Sequence, residues 1–146
     1  MNYINVKFHK LNKGAILPTQ GSRYSAGYDL YACIDTPVLI LPHETKYIGT
    51  GLSFELPEGC FGGVFARSGL ASKQGLRPAN CVGVCDSDYR GEYIVALHND
   101  SEEPCMVQSG DRIAQLVILP FYSVNFVEDE LSETERGAGG FGSTGK

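Results

Sequence analysis

No stretch of this sequence stays apolar long enough to cross a membrane or to form the hydrophobic centre of a signal peptide. The opening residues, MNYINVKFHKLNKG, alternate apolar and polar side chains instead, so a cytoplasmic or nuclear protein is expected. A surplus of cations is missing too. Lys and Arg number 12 against 17 Asp and Glu, a formal net charge of -5. With no excess of cations to replace condensed counterions, broad binding to nucleic acid or to an anionic membrane is disfavoured, and any phosphate must be gripped locally. The five cysteines (33, 60, 81, 85 and 105) form no CxxC and no Cys/His ligand spacing. That argues against a disulfide framework and a zinc site and for reduced thiols in a reducing compartment.

Helical periodicity is nearly absent as well. Only Ser68-Gly-Leu-Ala-Ser-Lys-Gln74 reads as helix, with Ser68 placed to cap it and Gly75 to stop it. Without crossover helices a parallel α/β fold is excluded. What fills the 146 residues is 18 Gly and 7 Pro punctuating short β-branched and aromatic runs. Strands are expected at 3–8, 28–33, 37–42, 45–56, 60–66, 80–84, 92–99, 104–108, 112–119 and 122–128. This is the pattern of one all-β domain, a sandwich, jelly roll or barrel, over residues 1–130. Residues 131–146 are too polar and glycine-rich to order themselves and are expected to form a mobile C-terminal tail.

That tail, RGAGGFGSTGK, nearly spells the phosphate-cradling GxxxxGK[ST], but no strand leads into it and no Ser or Thr follows its lysine. Its guanidinium, hydroxyls, unhindered N–H groups and single ring could wrap a phosphorylated aromatic ligand. Taken alone it reads more readily as an idle terminus. Four other segments carry chemistry. Arg67-Ser68-Gly69 at a helix start suits an anion, or is simply a cap. Asp86-Ser-Asp-Tyr89-Arg-Gly offers a carboxylate for water activation and a ring for a sugar or base, or is a hairpin turn joining 80–84 to 92–99. In Gly110-Asp-Arg-Ile-Ala-Gln115, Asp111 and Arg112 could pair as an exposed turn, while Gln115 shares a face with Ile113 and Val117 by alternation and needs partners there. Asp29 opens the strand after Ser25-Ala-Gly-Tyr. Four of the six arginines fall in these segments, a focus of positive charge that suits a small polyphosphate.

In order and spacing, AGYDL (26–30), RSGLA (67–71), GVCDSDYRG (83–91), GDRIAQL (110–116) and RGAGGFGSTG (136–145) resemble the five motifs of the trimeric deoxyuridine triphosphatases, the dUTPases. The resemblance implies a jelly-roll homotrimer that hydrolyses dUTP to dUMP and pyrophosphate with Mg²⁺, keeping uracil out of DNA and supplying dUMP for thymidylate synthesis. It implies active sites shared between subunits, each closed by a neighbour's tail. Asp86 matches the carboxylate that activates the attacking water. Arg67, Ser68, Gly69 and Gln115 match phosphate-contacting positions, and Asn80 and Gly83 lie in the segment that reads uracil. Tyr89 matches the ring packed on the deoxyribose. In the tail, Arg136, Ser143 and Thr144 would hold the γ-phosphate, with Phe141 and Gly142 over the base. Asp29 matches a carboxylate reaching the metal through water.

Cys85 departs from the aliphatic residue more usual beside the catalytic Asp. A dCTP deaminase of the same fold would carry a glutamate on the following strand, where this chain has Ala96. A nucleotide-sensing regulator is the other alternative, separated from an enzyme by an Asp86→Asn variant.

Overall fold

The computed structural model describes residues 3–140. Among them are twelve strands and one helix: β1 (Lys7–Lys10), β2 (Thr19–Gln20), β3 (Tyr28–Tyr31), β4 (Val38–Ile40), β5 (Thr45–Gly49), β6 (Leu52–Glu55), β7 (Cys60–Phe65), α1 (Ser68–Gln74), β8 (Leu76–Pro78), β9 (Val82–Cys85), β10 (Ile94–Asn99), β11 (Cys105–Val107) and β12 (Arg112–Pro120). All pairings between these strands are antiparallel. The largest sheet runs β2-β3-β12-β7-β9, a second runs β5-β10-β8, and β1-β6 and β11-β4 form two-stranded ribbons. The architecture is the expected all-β jelly roll with one short helix.

Both larger sheets and the ribbons feed one core. Leu30 on β3, Ile40 on β4, Ile48 on β5, Leu52 on β6 and Leu97 on β10 are wholly buried, each worth about 1.5–3 kcal/mol relative to exposure. The Phe54 and Tyr93 rings meet edge to face at 4.7 Å within it.

Several elements differ from the sequence expectation. The apolar run 45–56 is two strands, because the chain bends at Thr50-Gly51. Gly51 has φ 67°, and a Cβ there would lie 3.0 Å from both Ala15 Cβ and Cys33 Sγ, so only glycine fits this corner. The first strand, expected at 3–8, forms at Lys7–Lys10 against β6. Strands β2 and β8 are too short to show a periodic signal. The segments flanking 86–91 are no hairpin: β9 pairs with β7, and β10 pairs with β5 and β8. The turn residues connect two sheets instead. Finally, 122–128 is not a strand. Tyr122, Val124 and Phe126 alternate with polar residues, yet no strand among the described residues pairs with them, and they and Val127 are exposed. Alternation cannot supply the partner that a ladder needs.

The helix spans the expected Ser68–Gln74, but its cap lies one residue earlier than expected. Arg67 takes the cap position with extended backbone (φ -80°, ψ 127°), no side chain caps the end, and Ala71 N–H donates to Arg67 O. Ser68 is already helical and so cannot cap. Gly75 closes the helix in the left-handed conformation (φ 69°), donating to Ala71 O and Leu70 O, as its position predicts.

Candidate functional site

One rung of the large sheet gathers three of the segments. Gln115 on β12 stands opposite Asp29 on β3 and opposite Phe65 on β7. A register shift between Arg112 and Ala114 buries Ile113 and Ala114 together. From there Leu116 continues the core face, and Gln115 turns to the other. The expected shared face of Gln115 with Ile113 is thus corrected: the bulge inserts one residue and inverts the alternation. The amide is still partnered, since Nε2 donates to Ala66 O at 2.8 Å, tying β12 to the end of β7. Gly27 makes room for it, because a Cβ at residue 27 would collide with Gln115 Oε1.

Asp29 is the hub. Its side chain is 15% exposed, and its two oxygens accept from two guanidiniums: Arg67 Nε at 2.7 Å to Oδ1, and Arg112 Nη1 at 3.2 Å to Oδ2. Arg67 also reaches Arg112 O at 3.5 Å. The exposed Asp111–Arg112 pair that the sequence left open as one reading does not form. Asp111 Oδ2 accepts from Gln108 N–H at 2.7 Å and closes the turn before β12, which frees Arg112 for Asp29. Sequence reasoning counted Arg112 in the focus of positive charge but gave it no role of its own, because the cross-strand register that brings it to Asp29 leaves no local signal. One carboxylate between two guanidiniums leaves one positive charge unmatched within that cluster, and Asp111 also lines the cleft beside it. Ser68 and Gly69 lie beside the cluster, exposed at the start of α1. The cleft, of about 260 Å³, is lined by Arg67, Leu70, Gln74, Met106 and Arg112 among others.

Asp86, Tyr89, Asn80 and Gly83 belong to a different region. The β7–β9 ladder pairs Phe65 with Val82 and Gly62 with Cys85. Extended by one residue, it sets Asp86 opposite Phe61, six residues from Arg67, or about 20 Å along a strand. In a single chain the two cannot touch neighbouring phosphoryl groups of one nucleotide. Asp86 is exposed, and its carbonyl accepts from Tyr89 N–H at 3.2 Å, closing the turn. The Tyr89 hydroxyl donates to Glu92 O at 3.0 Å, and the ring stands over Gly91, where a Cβ would collide with it. Anchored at its hydroxyl, the ring is 44% exposed. Beside Asp86, burial pushes the Cys85 thiol up from its ordinary 9.0, the nearby Tyr93 hydroxyl opposes this, and the Asp86 charge adds to it. Burial likewise pushes the Tyr93 phenol far up from its ordinary 10.0.

Asn80 is exposed in the tight turn between β8 and β9, with Gly83 close to its amide. In the tail, Arg136 donates through Nε to Gly139 O at 2.9 Å. Phe141, Gly142, Ser143 and Thr144 lie outside the described residues. No group of three or more His, Cys, Asp or Glu that could hold a metal occurs among the described residues.

Fold and site together define a class: an all-β jelly roll, acidic overall, in which two guanidiniums converge on one carboxylate. Comparison with known proteins narrows the class to one family. The dUTPase family profile matches residues 13–145. The deoxyuridine 5'-triphosphate nucleotidohydrolase of Desulfitobacterium hafniense is 52% identical, covering 99% of each chain. That of Nautilia profundicola is 48% identical over 98% of this chain and 100% of its own. Among solved structures, a Staphylococcus bacteriophage 80alpha dUTPase with dUPNHPP superposes with a TM-score of 0.87 at 29% identity, over 97% of this chain and 99% of that one. The chain belongs to the dUTPase family.

Proposed function

We propose that the protein hydrolyses dUTP to dUMP and pyrophosphate in sites shared between the subunits of a homotrimer. The observation that carries this reading is the separation of Asp86 from the Arg67–Asp29–Arg112 cluster along one β ladder. In a member of this family both groups serve one triphosphate, so they must come from different chains. Arg67, Arg112, Ser68 and Gln115 hold phosphoryl oxygens at one end. Asp86 orients and deprotonates the water that attacks the α-phosphorus. The new bond joins that oxygen to phosphorus, and pyrophosphate departs with the electrons of the broken bond. Tyr89, pinned through its hydroxyl, packs against the deoxyribose and leaves no room for a 2'-hydroxyl. Asn80 and Gly83 border the uracil, and the tail closes over the nucleotide with Arg136 and Ser143 on the γ-phosphate and Phe141 on the base.

Mg²⁺ fits this site as an ion carried mainly on the triphosphate. Each Asp29 oxygen already accepts one guanidinium N–H and keeps a lone pair for a metal-bound water. When bound, the ion offsets the charge of the triphosphate in this acidic protein and polarises its oxygens. Five free cysteines support the cytoplasmic location, where dUMP would be available for thymidylate synthesis. No helix among the described residues is long and apolar enough to cross a membrane.

The test is release of dUMP and pyrophosphate from dUTP with Mg²⁺, alongside UTP, dCTP and dTTP, repeated with the chain ended at Glu135. Turnover confined to dUTP and lost with the tail is expected. Binding of dUTP without cleavage would overturn the reading.

A further inference from the structure

The turn that carries Asn80 is strained, and a charged pair outside the substrate positions described above holds it. Val82 N–H donates to Asn80 O at 2.7 Å across a three-residue turn centred on Cys81, whose φ is 62°. This is the γ-turn of positive φ, an uncommon conformation for a residue with a side chain, and it persists only where the surroundings enforce it. Arg77 on β8 supplies that enforcement. Its Nη1 donates to Pro78 O at 3.1 Å and to Ala79 O at 3.4 Å, and lies 3.8 Å from Cys81 Sγ. The rest of the guanidinium is locked bidentately on Asp100, through Nε to Oδ2 and through Nη2 to Oδ1 at 3.1 Å.

Asp100 is itself fixed from three directions. Its N–H donates to Gly75 O at 2.9 Å. His98, the cross-strand partner of Arg77, places Nε2 3.3 Å from Asp100 Oδ1 and bonds through Nδ1 to Thr45 Oγ1 at 2.9 Å. A line of polar contacts thus runs from β5 through β10 to the carbonyls of the Asn80 turn. A planar guanidinium fork suits this task, because it can grip the carboxylate with two donors while a third aims at the turn.

We propose that Arg77, held by Asp100, is a positioning residue for base recognition: it clamps the Cys81 γ-turn so that Asn80 and the following backbone N–H and C=O groups meet the uracil edge in fixed geometry. This rests on the dUTPase reading and on Asn80 bordering the base. Loosening the turn weakens nucleotide binding and blurs the choice between uracil and cytosine, while Asp86 and its water are untouched.

The test compares steady-state kinetics of Arg77→Met, Asp100→Asn, Asn80→Ala and the Arg77→Met/Asn80→Ala double variant on dUTP and dCTP. Arg77→Met and Asp100→Asn are each expected to raise KM for dUTP about tenfold, with kcat within about twofold, since sub-ångström misplacement acts on binding geometry. Preference for dUTP over dCTP should fall by a similar factor. The double variant should be no worse than the poorer single one, because both changes strike one device. Asp100→Asn preserves volume and carries the test if Arg77→Met does not fold. Multiplying KM effects in the double variant, or loss of kcat at unchanged KM, would overturn the proposal. A wild-type chain that fails to cleave dUTP sinks the functional reading itself. Asn80→Ala raising KM while Arg77→Met and Asp100→Asn do not sinks only the clamp.

Discussion

At the scale of single residues, the two carboxylates of the site do opposite work because their surroundings differ. Asp29 is largely buried and paired with two guanidiniums, one on each oxygen, so it organises positive charge. Asp86 is exposed, and no side chain among the described residues hydrogen-bonds its carboxylate, which suits its proposed role of taking a proton from water. Asp86→Asn should therefore lower kcat for dUTP by about 10²- to 10⁴-fold, the usual contribution of a general base, while equilibrium titration still shows dUTP binding. Cys85 and Tyr93 make a second residue-scale prediction. Burial raises both above their ordinary 9.0 and 10.0. Below about pH 9 both are protonated whether the chain is folded or not, and stability is unaffected. Above it the unfolded chain releases protons that the folded one retains, so stability falls with rising pH. Denaturant midpoints measured from pH 8 to pH 11 should decline, and decline less in a Cys85→Val variant.

Among the elements, the β10–β11 connection shows how a buried polar group fixes a corner. Asn99 is wholly buried. Its Nδ2 donates to Ile40 O at 3.1 Å and Glu103 O at 2.8 Å, while Oδ1 accepts from Ser101 N–H and Oγ. Asn99→Ala would strand two carbonyls and two donors, and urea unfolding should show a loss of about 2–3 kcal/mol. An unchanged midpoint would mean that water replaces the amide. The bulge on β12 acts at the same scale, converting one inserted residue into the outward turn of Gln115.

For the whole molecule, the decisive quantity is the distance between Arg67 and Asp86. If each site takes them from different subunits, Arg67→Ala and Asp86→Asn chains are each inactive as homotrimers. Refolded together they should recover a measurable share of wild-type activity, because some mixed sites contain both native residues. If both residues came from one chain, every site in the mixture would carry a defect and no activity would return. Sedimentation should find a trimer. The exposed apolar residues Val84, Ile94, Tyr122 and Phe126 offer surface for that association.

How much of this was legible beforehand depends on whether the signal was local. Turn glycines, β-branched runs and a near absence of helical period set the all-β class and placed most strands, because backbone preference and alternation act within a few residues. Gly75 ended its helix for the same reason. The five motif segments, and with them Asp29, Arg67, Asp86, Tyr89 and Gln115 as candidates, were also readable in the chain. Tertiary structure alone decided which segments meet. Cross-strand register brought Arg112 to Asp29 rather than Asp111, sent β9 to β7 instead of β10, and left 122–128 without a ladder. It also set Arg77 behind the Asn80 turn. Pairing between strands distant in sequence depends on where the whole chain can bury its core, and no short window of residues contains that information.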